Sequence, residues 1–167
     1  MKTLYCDASF DWTHTEKNGE DIVRGKVAVV GDGIARMDRV AVGKVEGLKQ
    51  YINVFELTAI ARAVELASEM NKAKPLCDHP EQCNHWSCHP TDSLAIYTDS
   101  RTAMIWASSG KIKGGVRTLA HENALEYLRK VRLQFGGLIT FNFVRREGNP
   151  AGELLEKELE KEKPHAI

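Results

Sequence analysis

The chain has 167 residues, 43% of them apolar, which suffices for one sizeable core and argues against a long disordered protein. Its 23 Lys and Arg equal its 23 Asp and Glu, so it lacks the overall basic charge of many nucleic-acid binders. No apolar run reaches the roughly 18 residues of a membrane span, and Asp7 interrupts the stretch where a signal peptide would be continuously greasy; no membrane association and a cytoplasmic location are expected.

From Lys2 to Ala8 the sequence alternates as a strand does, and the polar segment Asp11 to Arg24 separates it from the β-branched run Val27 to Val30. Gly31, Asp32 and Gly33 predict a turn, after which Ile34 to Val42 resumes the alternation, so the first 45 residues read as an antiparallel meander. Leu57, Ile60, Ala61 and Val64 recur at helical spacing and predict a helix from about Val54 to Met70. A segment containing Pro, Cys and His follows. Leu94 to Thr98 then predicts a short strand, Ser100 to Ser109 a helix, and Gly110, Gly114 and Gly115 a basic loop. Leu119, Leu125, Leu128 and Val131 mark another helix, and Leu138 to Val144 another strand. Asn149 is a good N-cap and Pro150 suits the first position of a last helix, expected to dock Leu154, Leu155 and Leu159. A meander followed by alternating strands and helices describes an α/β fold, a mixed sheet flanked by helices.

The neutral total hides segregated charge. Nine basic residues lie between Arg101 and Arg146 against Glu122 and Glu126 alone, while Glu147 to Ile167 holds six glutamates and three lysines. A local basic face is one reading and ordinary solvated charge the other.

Four carboxylates are oddly placed for surface charges. Asp7 sits in an apolar strand, Glu56 near the start of the first long helix, Asp99 where a buried strand ends, and Glu153 in the first turn of the last helix. Each alone fits an N-cap, a strand-end turn or a surface charge. Together, beside a core, they would need a hard cation such as Mg²⁺, and two such ions about 4 Å apart can activate water and stabilise the leaving oxygen of a phosphodiester.

The blocks YCDAS (Tyr5 to Ser9), NVFEL (Asn53 to Leu57), YTDS (Tyr97 to Ser100) and VRREGNPAGELL (Val144 to Leu155) resemble type I ribonuclease H in order, spacing and intervening elements from about Met1 to Lys161. The resemblance implies a single ribonuclease H-like domain over 1–167, with a five-stranded mixed sheet, an antiparallel meander and then parallel strands, with helices on both faces. It implies an endonuclease that hydrolyses the RNA strand of RNA/DNA hybrids and leaves 5′-phosphates. Asp7, Glu56, Asp99 and Glu153 would hold two Mg²⁺ or Mn²⁺ ions, Asp7 bridging both. Asn53 matches a position that contacts the hybrid's minor groove, a helix N-cap being the alternative and compatible role. Ser100, Lys111, Lys113 and Arg146 are the further candidates for contacting the hybrid, the lysines in a short basic loop where larger members carry a basic helical protrusion.

The last motif departs from the family. It offers Glu153 where Asp is usual and Gly152 where Ala is common, and the extra methylene moves the carboxylate by about 1.5 Å. The preceding loop, Arg145 to Asn149, has no His where many members carry one. Three functions therefore stand side by side: the ribonuclease H, a catalytically weak nucleic-acid-binding module of the same fold, and a related nuclease that also accepts double-stranded RNA. A monomer is expected.

The insertion at about 74–92 concentrates Cys77, His79, Cys83, His85, Cys88 and His89. Zinc takes four such ligands, and one ion could staple a polar loop too short to build its own core. The expected set is Cys77, Cys83, Cys88 and one imidazole among His79, His85 and His89, taken as His89. Reduced thiols with no metal, or a disulfide, are the alternatives. Trp86 fits packing against the scaffold better than stacking on a base. Cys6 faces the opposite side of its strand from Asp7 and reads as core.

Overall fold

The computed structural model describes residues 1–11, 22–43, 48–75, 77–78, 81, 83–112 and 118–162. Its five strands are β1 (Lys2–Asp11), β2 (Ile22–Gly31), β3 (Ile34–Gly43), β4 (Ser93–Thr98) and β5 (Leu138–Phe143), and they form one sheet in the order β3-β2-β1-β4-β5. The first three pair antiparallel, whereas β4 runs parallel to β1 and β5 parallel to β4. The helices are α1 (Leu48–Lys72), α2 (Arg101–Ser109), α3 (Leu119–Phe135) and α4 (Pro150–Glu162), with single 3-10 turns at Trp86–Cys88 and Arg146–Gly148.

Local chemistry accounts for the elements. In the β2–β3 hairpin Gly31 pairs with Ile34, leaving Asp32 and Gly33 as a two-residue loop with φ of 45° and 85°. Positive φ at both positions is the type I′ turn whose twist matches the strands, and Asp-Gly is a favoured pair for it. Ser100 caps α2 by accepting a hydrogen bond from the Ala103 N–H at 3.1 Å, and Thr118 and His121 form a reciprocal capping box on α3. Gly110 and Gly136, with φ of 70° and 71°, end those two helices in the left-handed conformation.

Alternation along β1 and β2 divides the interior into two layers. Leu4, Cys6, Val27 and Val29 face α1 and join the main core with α2 and α3. Tyr5, Ala28 and Val30 face the other way, against Ala151 and Leu155 of α4. Between the sheet and its partner helices α1 is apolar almost all round: Tyr51, Val54, Leu57, Ile60, Ala61 and Val64 are fully buried. Gly25 lets the sheet and α1 approach, since a Cβ there would lie 2.3 Å from the Ser9 carbonyl oxygen and 2.7 Å from Phe55 Cε1.

Several boundaries differ from the sequence reading. Helix α1 begins at Leu48, six residues before Val54, so Asn53 lies inside the helix and is not its N-cap. The expected polar segment Asp11 to Arg24 gives both ends to the hairpin, where Asp11 pairs with Arg24, because the backbone ladder continues while Arg24 projects outward beside buried Val23. Leu155 docks as expected, but Leu159 is 44% exposed, since α4 rests on the sheet only through its first turns. No helix among the described residues is long and apolar enough to cross a membrane.

Candidate functional site

The parallel pairing of β1 and β4 places two carboxylates side by side. Cys6 pairs with Thr98, so Asp7 and Asp99, each one residue further on, stand together where β4 ends. Helix α1 crosses the same end of the sheet and brings Glu56 from the third turn. Carboxylate oxygens of Asp7, Glu56 and Asp99 all lie within 4.8 Å of one another, with Asp7 9% and Glu56 6% exposed and Asp99 half-buried.

Such a cluster is electrostatically costly alone. Two unit charges at this separation repel by roughly 3 kcal/mol at an effective dielectric constant of about 20. Burial first, and then the charge of Asp7, push the Glu56 carboxyl well above its ordinary range. Asp99 is raised by burial and by Asp7, against the opposing pull of the Asn149 amide and Arg146. Glu56 Oε2 is buried without a hydrogen-bond partner. Three converging carboxylates and an orphaned buried oxygen form a donor set that fits a hard divalent cation such as Mg²⁺.

The surroundings are part polar and part apolar. A cleft of about 480 Å³ opens over the cluster, lined also by Ser9, Phe10, Ile52, Phe55, Ser100 and Arg146. Phe10 and Phe55 stack nearly parallel, centroids 5.4 Å apart, and Ile52 is 48% exposed. Asn149 is fully buried: its Nδ2 donates to the Cys6 carbonyl at 3.0 Å and reaches Asp99 Oδ2 at 3.5 Å, while its Oδ1 accepts from the Ala151 N–H at 3.1 Å. One side chain thus caps α4, ties it to β1 and orients Asp99. Sequence reasoning recognised the cap and missed the contact with Asp99, because that contact joins residues fifty positions apart.

The remaining candidates are placed as follows. Glu153 lies in the first turn of α4, exposed, and is not among the carboxylates within 4.8 Å of one another. Its neighbour Gly152 is the residue against Asp7, where an added Cβ would be 3.0 Å from Asp7 Oδ2. Asn53 is half-buried on α1 and Lys111 exposed after α2, neither lining the cleft. Lys113 and His79 lie outside the described residues. Cys77, Cys83 and Cys88 form a second cluster with their sulfurs within 4.8 Å, and neither His85 nor His89 joins it. Cys6 is fully buried in the core and Trp86 is 2% exposed, packed as expected.

By sequence the chain matches no protein-family model. It matches no curated protein either. Its structure is similar to ribonuclease H1 from the halophilic archaeon Halobacterium salinarum, with a TM-score of 0.59 and 14% identity over 96% of this chain and 98% of that one. LC11-RNase H1, isolated from compost by a metagenomic approach, gives a TM-score of 0.58 and 15% identity over 96% of each chain. In complex with an RNA/DNA hybrid, LC11-RNase H1 gives 0.55 and 15% over 95% of this chain and 99% of that one. The sheet order, its mixed pairing and these similarities define the protein as one with the ribonuclease H-like fold.

Proposed function

We propose that this chain, as a single domain with an insertion at about 74–92, is a divalent-metal-dependent ribonuclease H that hydrolyses the RNA strand of RNA/DNA hybrids. The observation that carries the reading is the meeting of Asp7, Glu56 and Asp99 around an orphaned Glu56 oxygen at the cleft floor. A structurally similar protein occurs in complex with an RNA/DNA hybrid.

Asp7, Glu56 and Asp99 would hold the cations, with Glu153 contributing from the N-terminal turn of α4, where the helix dipole favours negative charge. When bound, two Mg²⁺ ions would polarise the attacking water and neutralise charge at the scissile phosphate. The chain's own residues do the positioning. Asn149 holds Asp99 in place, and Arg146 brings positive charge to the rim for a phosphate oxygen. Ser100 offers a hydroxyl beside Asp99, although that hydroxyl already caps α2. Phe10, Phe55 and Ile52 give the cleft an apolar wall suited to sugar and base faces. Asn53 and the lysines Lys111 and Lys113 extend contact with the hybrid beyond the cleft.

The test is cleavage of hybrid, double-stranded RNA and double-stranded DNA side by side with Mg²⁺ or Mn²⁺. The expected result is cutting of the RNA strand of the hybrid, with 5′-phosphate ends. Exposed Glu153 outside the cluster favours a second reading, a binding module of the same fold. Tight hybrid binding without turnover at any metal concentration would establish that reading and reject the first; cutting of double-stranded RNA would widen the substrate class.

A further inference from the structure

The segment between α1 and β4 carries a second cluster that the nuclease reading does not use. Cys77, Cys83 and Cys88 are free thiols whose sulfurs lie within 4.8 Å of one another, and the Cys77 and Cys88 sulfurs are 3.2 Å apart. That separation is well beyond the roughly 2.05 Å of a disulfide and approaches the about 3.8 Å between two thiolates on one tetrahedral zinc, given Zn–S bonds of about 2.3 Å. Cys83 Sγ accepts a hydrogen bond from the His85 backbone N–H at 3.3 Å, an outer contact that orients a ligating sulfur. Soft thiolates select zinc over the magnesium that the carboxylate cluster fits.

The surroundings say what such an ion would do. Glu81, Asn84, His85, His89 and Pro90 are exposed, so the segment has almost no core of its own. Among the described residues its apolar anchor is Trp86, buried at 2% exposure, whose indole N–H donates to Asn71 Oδ1 at 2.8 Å and whose ring lies beneath Lys2 Nζ at 5.5 Å. Asn71, in the last turn of α1, also bonds the backbone of Thr91 through both Oδ1 and Nδ2. Trp86 and Asn71 therefore tie the far end of the insertion to the scaffold, and the thiols join its near end, at Cys77, to that far end, at Cys88. The cluster precedes β4 and Asp99 follows it, so the two sites are separated by about 20 Å of strand.

We propose that Cys77, Cys83 and Cys88 bind one structural zinc ion that clamps the insertion against the C-terminal end of α1 and the start of β4. His89 Nε2 is bonded to the Cys83 carbonyl at 2.5 Å and the ring is not among the clustered donors, so the three sulfurs are the ligands that the structure brings together.

The test is metal analysis of protein purified without added metal, with intact mass and thiol counting on the same sample. About one equivalent of zinc is expected, retained in Asp99→Asn and falling below about a tenth in the double variant Cys83→Ser, Cys88→Ser. With wild-type protein, which avoids any folding defect of the variant, iodoacetamide should reach the three thiols only after chelation. Cobalt added to chelated protein should give thiolate charge-transfer bands and tetrahedral d–d bands, and the melting temperature should fall on chelation and return with zinc but not with magnesium. Wild-type protein with less than about a tenth of an equivalent and no cobalt–thiolate bands would overturn the proposal. So would an intact mass lower by two hydrogens with Cys77 and Cys88 in one disulfide-linked peptide.

Discussion

At the scale of single residues the site is built on Glu56. Its carboxyl is pushed up by burial and by Asp7, so without metal the folded chain keeps a proton that the unfolded chain releases at the ordinary carboxylate pKa. Stability from this group is therefore fully present below that ordinary pKa and is lost as pH rises through the elevated one. Glu56→Gln removes the titration. In chelator the variant should match wild type in acid, where the Glu56 carboxyl is protonated in both the folded and the unfolded chain, and should melt higher than wild type at and above neutrality, while hybrid cleavage disappears. A stability difference independent of pH would show that Glu56 is not the titrating group. Asp99→Asn should lower cleavage below about a thousandth of wild type with the fold intact. Mg²⁺ should raise the melting temperature of wild-type protein, because a cation bound only by the folded state stabilises it by mass action, and should raise that of the variant less. Equal cleavage and equal thermal response in that variant would remove Asp99 from the site.

Among the elements, α4 and the β1–β2 pair brace the carboxylate cluster that β1, β4 and α1 bring together. Asn149 caps α4 and satisfies the buried Cys6 carbonyl, so Asn149→Ala loses a cap and orphans an acceptor. The expected cost is about 2–3 kcal/mol, roughly 5–10 °C in melting temperature, together with weaker metal-dependent stabilisation because Asp99 loses its amide donor. Gly25→Ala would force a Cβ against the Ser9 carbonyl oxygen and Phe55, both at the cleft. A loss of about 1–3 kcal/mol is expected, measured by thermal or denaturant unfolding, since backbone on one side cannot yield as a flexible side chain would. An unchanged melting temperature would mean that the hairpin and α1 separate freely at this point.

Over the whole molecule, net charge is zero but its distribution is not. Nine basic residues between Arg101 and Arg146 face only two glutamates in that stretch, and several are already engaged: Arg101 lies over Phe143, Arg132 over Phe141, and Arg129 bonds the Gly110 carbonyl. Among the described residues, Arg146 is the basic side chain of this stretch that is exposed and lines the cleft beside the carboxylates. Hybrid binding should weaken linearly with log salt, and Arg146→Ala should reduce the slope by about one and lower affinity alike for all hybrid sequences. An unaltered slope would place Arg146 outside the phosphate track.

The sequence by itself determined the elements and the residue types of the site. Period-two alternation marked the strands, Asp32-Gly33 marked the hairpin, and Ser100 and Asn149 stood where helices start, because turns, caps and amphipathic faces are set by neighbours a few positions apart. Four ordered motifs also pointed to the ribonuclease H-like fold that the sheet order shows. Tertiary structure alone decided which carboxylates meet. Asp7 and Asp99 depend on the parallel register of β1 with β4, Glu56 on where α1 crosses the sheet, and exposed Glu153 on which face α4 turns to the sheet, which sets Gly152 rather than Glu153 against Asp7. Asn149's reach to Asp99 and the grouping of three cysteines around an anchored Trp86 are likewise long-range results. Local pattern carries no information about such distances, since they follow from how whole elements pack.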